Sequence, residues 1–353
     1  MTLKILYGVQ GTGNGHLART RALLPALKNK DVEIDFVFSG RPEEEFFDMQ
    51  EYGDYRIFRG LTLVYSRGHL EIMKTVFANN LFNFIWDVIS LNTANYDLVI
   101  SDFEPITAWS TRLKGKPCIA LSHQCAFDYD IPKAPGYWGS KQIMKLFAPG
   151  KTKVGFHYEH FNQPVLPPLI SEIATATATA PSGKILVYMG FETVDDIVSF
   201  LSGFSSNRFE VFAKVNERQN LGNITINPLS VEAFHQQLAA CDGVISNAGF
   251  ELSSECLVYG KKLLVKPLSG QYEQLCNIVA LKLMGRATVM DCLDRKVLKD
   301  WLQKPTEKPV IYPKVADALA NWIINPQRGD VETLAKTVWG DYQGLAINNS
   351  LGD

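Results

Sequence analysis

A chain of 353 residues that is 46% hydrophobic and 20% charged is long enough for two domains with separate cores. Its formal net charge of −2 supplies no overall field to draw it to nucleic acid or anionic lipid. The six cysteines form no C-x-x-C pair and no apolar run reaches membrane-spanning length, so the composition reads as a reduced cytoplasmic protein without disulfide framework, zinc site or transmembrane segment.

Residues 3–9 read as a strand feeding Gln10-Gly11-Thr12-Gly13-Asn14-Gly15-His16, and residues 17–29 have helical spacing. Glycines at alternate positions permit positive φ and a close approach of backbone to a ligand. The G-x-G-x-G spacing departs from the dinucleotide fingerprint, and the strand at 34–38 ends in Ser39-Gly40 rather than an acid. A nicotinamide site is therefore disfavoured, and the lack of Gly-Lys-Ser/Thr removes a phosphate-binding P-loop. His16 falls in the first helical turn, either as a proton acceptor facing a cleft or as a capping or core histidine.

Residues 41–50 are expected to be helical, 55–64 to form one or two strands, and 69–92 a long helix whose large apolar stripe is more often core than binding surface. Were part of that stripe exposed, it would suit a lipid-linked or otherwise apolar acceptor and peripheral membrane contact. The buried-type strand at 96–101 runs into Asp102-Phe103-Glu104-Pro105, at the sheet edge where ligands gather in open α/β folds. Asp102 is open to a second reading as the cap of the helix from Pro105. The strand at 117–121 delivers His123 to the same edge, a reserve base or acceptor contact, with Glu104 beside it as another acceptor-side candidate. Residues 126–152 suggest a loop with a short helix after Ser140, and 154–161 a last strand.

Proline-bearing, low-complexity sequence marks 164–182 as a linker between an N-terminal domain, 1–163, and a C-terminal domain, 183–329. The second domain restarts with a strand at 184–189 turning through Gly190-Phe191-Glu192-Thr193 into a helix, and strand and helix then alternate again. Alternation in both halves predicts an α/β protein with two Rossmann-like, doubly wound parallel sheets. Its most informative stretch is 242–274, where a short strand turns through Asn247-Ala248-Gly249 into a helix. Unpaired N–H groups and the helix dipole make that turn an anion site suited to a diphosphate. Glu255 points back along the helix, and Glu273-Gln274 follow the next strand, so the three can converge on a ribose or sugar beside the phosphate.

The glycine turn, Glu255, Pro267 and Glu273-Gln274, together with Gly13-Asn14-Gly15-His16, resemble the GT-B glycosyltransferases, in particular the inverting enzymes that use UDP-sugars, such as the peptidoglycan N-acetylglucosaminyltransferases and the UDP-glycosyltransferases. The resemblance covers nearly the whole chain but rests on four short motifs. It implies two domains facing a cleft, a nucleotide-sugar donor as substrate, no separate cofactor and no metal. By resemblance His16 is the base, Asp102 orients it, Glu255 holds the ribose and Glu273-Gln274 contact the transferred sugar. Gly13, Asn14, Gly190 and Asn247-Ala248-Gly249 would line the donor, residues 215–218 would seat the base, and a helix at about 330–343 would cross back onto the first domain. Phe191 departs from the small hydroxyl residue usual after this glycine, which leaves backbone contact only. Retaining relatives carry two glutamates separated by seven residues, whereas Glu251 and Glu255 have three between them, which favours inversion. The acceptor, lipid-linked or glycan, has no readable code. A nucleotide-sugar epimerase of the same fold and a non-catalytic nucleotide-sugar sensor are the alternatives.

Overall fold

The computed structural model describes residues 2–62, 65–66, 69–70, 79–135, 138–171, 182–340 and 342–345. The first half is built on strands β1 (Leu3–Gln10), β2 (Val32–Ser39), β3 (Tyr55–Phe58), β4 (Leu98–Asp102), β5 (Cys118–Ser122) and β6 (Thr152–Gly155). They form one parallel sheet in the order β3-β2-β1-β4-β5-β6. Because the order reverses beside β1, a crevice opens at the C-terminal ends of β1 and β4.

Helix α1 (Gly15–Lys28) follows β1, α2 (Leu81–Ser90) and α3 (Pro105–Lys114) flank β4, and α4 (Trp138–Phe147) precedes β6. α3 shows how sequence fixes an element. Pro105 occupies its first turn, Glu104 caps it by accepting from the N–H groups of Ile106 and Thr107, and Gly115 ends it at φ 65°.

The second sheet contains β7 (Lys184–Tyr188), β8 (Arg208–Ala213), β9 (Gln219–Leu221), β10 (Ile224–Pro228), β11 (Gly243–Asn247), β12 (Lys262–Lys266) and β13 (Thr288–Val289). Its order is β9-β10-β8-β7-β11-β12-β13, parallel except for the edge strand β9. Its helices are α5 (Val194–Leu201), α6 (Val231–Ala240), α7 (Phe250–Val258), α8 (Tyr272–Leu283) and α9 (Arg295–Leu302), followed by α10 (Ala316–Ile324) and α11 (Val331–Trp339).

One apolar cluster runs from the underside of the first sheet, through Leu17, Leu23 and Leu27 of α1, to Val244, Phe250 and Leu319 of the second half. The outer faces have their own cores, around Leu6, Val99 and Ile106 in the first sheet and Val187, Phe200 and Trp301 in the second. Trp339 of α11 donates its indole N–H to the carbonyl of Val165 at 2.6 Å, so the last helix docks where the first half ends.

Three local expectations are corrected. Residues 41–50 form only two 3-10 turns, Glu43–Glu45 and Gln50–Tyr52, because Pro42 is extended and Asp48 takes φ 52°. The Asp48 carboxylate instead caps the second half by accepting from the N–H of Val231 at 2.8 Å.

Of the helix expected over 69–92, residues 81–90 are helical, His69–Leu70 pair with Tyr65–Ser66 as a short hairpin, and 71–78 lie outside the described residues. Most apolar side chains of α2 are not core. Phe82 is 87% exposed and Trp86 71%, and only Val88 is buried.

The strand expected at 154–161 stops at Gly155. Residues 172–181 of the expected linker, and 346–353 at the end, lie outside the described residues. Among the described residues no helix is long and apolar enough to cross a membrane.

Candidate active site

The first-half wall is organised by an aspartate. Asp102 ends β4 directly beside Val9 of β1, and His16 sits one residue inside α1, so both reach the same rim. His16 Nδ1 lies 2.7 Å from Asp102 Oδ1. A carboxylate at that distance selects the tautomer protonated on Nδ1 and leaves Nε2 as the accepting nitrogen. The imidazole is 14% exposed and lines the cleft. Phe103 adopts φ 53°, rare for an aromatic residue, and stacks its ring on His16 at 6.0 Å and on Phe147 at 4.8 Å. Strained backbone of this kind concentrates where side chains must be held in one place.

Arg19 is the residue that sequence reading missed. It stands three positions after His16 on the same helix face, is 1% exposed, and grips Asp102 with Nε at 2.9 Å and Nη2 at 2.6 Å. Nη2 also lies 2.8 Å from His16 Nδ1. A guanidinium cannot accept, so both N–H groups share the Asp102 oxygen. Burial pushes the Asp102 carboxyl up, but the charge of Arg19 and the hydrogen bonds from His16 and Arg19 more than reverse this and hold it below the usual range.

From the other half, Glu251 binds Arg19 Nη1 and approaches Gly15, where an added Cβ would meet its Oε2 at 3.1 Å. Burial raises the Glu251 carboxyl to about 7, against the pull of Arg19 and His16.

The second-half wall is more open. Gly249 has no side chain with which to cap α7, and an added Cβ there, as at Gly13, would meet nothing within 4 Å among the described residues. The first N–H groups of a helix have no intrahelical partner, so this end of α7 presents uncapped N–H groups to the cleft, a geometry that can receive an anion. The turn itself contributes less than the sequence suggested. The Gly249 N–H is bonded to the Asn247 carbonyl at 2.8 Å, and Ala248 is wholly buried with its carbonyl accepting from Asn277.

Asn14 precedes α1, yet its side chain does not cap that helix. It crosses the cleft instead, donating to the Tyr188 hydroxyl at 2.8 Å and accepting from Arg41 at 2.8 Å. Glu255 lines the cleft and lies 3.2 Å from His235 Nε2, another residue with no sequence signal. Glu273 accepts from Gln124 at 2.7 Å, and burial raises its carboxyl despite His16 and Arg19. Gln274 accepts from the Leu268 N–H at 2.8 Å, which turns its amide along the loop after β12.

A cleft of about 1410 Å³ separates the walls and is lined by Gly13, Asn14, His16, Gly190, Asn247, Gly249, Glu255, Glu273 and Gln274. Two acceptor-side candidates are placed differently. Glu104 is fully buried and occupied by Ser39, Ile106 and Thr107, so it is the cap of α3 that Asp102 was open to being, and it does not reach the cleft. His123 touches the cleft wall but is 1% exposed and stacked on Phe250 at 3.9 Å, with Nδ1 2.7 Å from the Phe156 carbonyl and Nε2 2.7 Å from Asn277 Oδ1. Burial drives its pKa down to about 3, so it is a neutral packing residue between the halves that donates from one nitrogen only. Several polar atoms on the cleft wall are buried without a partner among the described residues, including Asn247 Oδ1, Ser246 Oγ, Gln124 Oε1 and Gln271 Oε1. Such atoms are normally satisfied, and here a polar ligand can satisfy them.

Solved structures share this architecture across almost the whole chain. LpCGTa in complex with UDP aligns at TM-score 0.58 and 14% identity, covering 96% of this chain and 99% of that one. VinC in complex with DTDP gives 0.53 and 12%, covering 95% and 96%. UGT89C1 of Arabidopsis thaliana, complexed with UDP, gives 0.53 and 13%, covering 96% and 94%. These likenesses establish the GT-B fold. A search of curated proteins gave no match. The family model for glycosyl transferase family 1 matches residues 3–305, and the chain therefore belongs to that family and is a glycosyltransferase.

Proposed function

We propose that the protein transfers a sugar from a nucleoside-diphosphate sugar to an acceptor hydroxyl by direct displacement with inversion, the donor being a substrate and no resident cofactor or metal being required. The acceptor O–H gives its proton to His16 Nε2 while its oxygen bonds the anomeric carbon. The bond from that carbon to the diphosphate oxygen breaks on the opposite face, and the nucleoside diphosphate leaves. Asp102 holds the imidazole and stabilises the imidazolium that forms. The N-terminus of α7 stabilises the departing charge by dipoles already in position. Glu255 takes the ribose hydroxyls, and Glu273 with Gln274 the transferred sugar. Asn14, Gly13 and Gly190 close over the phosphates.

The observation that carries this reading is the 2.7 Å contact between His16 and Asp102 on a cleft whose facing wall is the open end of α7. UDP and DTDP in the structural neighbours support a nucleotide donor. The acceptor is apolar in part. Ile143 of α4 lines the cleft while 65% exposed, and Leu146 carries the same exposed face towards α3, where Trp109 donates to its carbonyl at 2.9 Å. Trp109 packs in one cluster with Phe84 of α2, whose Phe82 and Trp86 nothing among the described residues covers, a surface suited to a lipid-linked acceptor at a membrane. Incubation with UDP- and DTDP-sugars in the presence and absence of polyprenyl and glycan acceptors tests the proposal. Nucleoside diphosphate released only with acceptor, with inverted anomeric configuration in the product, supports it. An interconverted sugar nucleotide without acceptor would refute it in favour of epimerisation.

A further inference from the structure

Most cations around the cleft are committed to carboxylates. Arg19 is held by Asp102 and Glu251, Arg21 by Glu51, Lys214 by Glu45, and Lys266, whose carbonyl accepts from Asn247, by Glu192 at 2.7 Å. The charge of Lys266 is thus cancelled just where the second half would meet a phosphate. Arg41 is different. Nη1 donates to Asn14 Oδ1 at 2.8 Å and the guanidinium carbon lies 4.2 Å from the centre of the Phe46 ring, but Nε and Nη2 are buried with no partner among the described residues. Burial lowers its pKa to about 10, so it remains cationic at neutral pH.

A buried charged donor without an acceptor is unfavourable, and a planar guanidinium offering Nε and one Nη matches two oxygens of a phosphate. Its position fits that ligand. Arg41 bonds Asn14, Asn14 bonds the Tyr188 hydroxyl, and a Cβ added to Gly190 would lie 3.5 Å from that hydroxyl. Arg41 is therefore two hydrogen bonds from the glycine turn after β7, on the opposite wall.

We infer that Arg41 is the phosphate-binding cation of the first half, donating through Nε and Nη2 to the donor's diphosphate and meeting the charge that develops on it as the sugar departs. This rests on the functional reading above and adds a residue to it. The second half supplies oriented dipoles, and Arg41 supplies the net positive charge from across the cleft.

Calorimetric titration of wild type, Arg41→Gln and Arg41→Lys with UDP, DTDP and the nucleosides uridine and thymidine tests this, with melting curves to verify folding. The glutamine variant is expected to weaken the diphosphate that wild type binds by about 10- to 100-fold and leave the corresponding nucleoside within about twofold. The lysine variant keeps charge but not the fork, and is expected to lose about three- to tenfold on the diphosphate alone. It decides the matter should the glutamine variant not fold. Unchanged diphosphate affinity, or equal losses for nucleoside and diphosphate, would overturn the assignment. Wild type that binds neither UDP nor DTDP, nor GDP, ADP or CDP, would refute the functional reading itself, and Arg41's role with it.

Discussion

The two walls of the cleft are built on opposite plans. On the first-half side His16 Nδ1, Asp102 and Arg19 are bonded to one another, in contacts of 2.6 to 2.9 Å, and a strained Phe103 braces the imidazole. On the second-half side the end of α7 is uncapped, and Asn247 Oδ1 and Gln271 Oε1 have no partner among the described residues. A group that reacts must be held before the substrate arrives, whereas a group that binds must keep its hydrogen-bonding capacity free for the ligand. On the proposed function, the difference places the proton transfer on the first wall and most of the donor recognition on the second, with Arg41 and Asn14 as the first wall's share of the binding.

Breaking the reactive wall has the largest expected effect. His16→Ala should lower turnover about 10²- to 10⁴-fold, measured as acceptor-dependent nucleoside diphosphate release. Next comes Arg19→Ala, which leaves Asp102 buried and uncompensated. It should destabilise the fold by about 3–5 kcal/mol, read from denaturant unfolding, whereas a melt within about 0.5 kcal/mol of wild type would show that Arg19 does not hold the carboxylate.

Glu255→Gln acts on the recognising wall and should raise the donor KM about tenfold with kcat little changed. The smallest effect concerns Glu251. Its folded pKa of about 7 is above the unfolded value, so the folded state binds the extra proton and stability falls as pH rises from about 4.3 to 7. Glu251→Gln should flatten that slope. Asp102 acts in the opposite sense, since its depressed pKa gives stability present above about 3.9 and lost as pH falls through the lower folded value.

Much of the fold was legible because strand, glycine turn and helix alternate in both halves, each with its own local signal. Pro105 shows both the reach and the limit of such signals. A proline in the first turn points to the preceding residue as the cap, which selects Glu104, yet aspartate is the commoner cap and Asp102 stood nearby. Arg19 could have been found from its three-residue spacing to His16. Glu251 and Arg41 could not, since the contact from Arg19 to Glu251 spans 232 residues and the orphaned nitrogens of Arg41 are defined only by what surrounds them. His123 stands at a strand end as expected, but Phe250 from the second half covers it. The apolar residues of α2 misled for a related reason. Periodicity reports which residues share a face, not whether anything packs against it, and here nothing among the described residues covers Phe82 or Trp86.

The division of labour between the walls is tested most directly by calorimetric titration of the nucleoside diphosphate into wild type, His16→Ala and Glu255→Gln side by side. His16→Ala is expected to bind within about twofold of wild type, and Glu255→Gln about tenfold more weakly. Loss of binding in His16→Ala together with unchanged binding in Glu255→Gln would contradict that division.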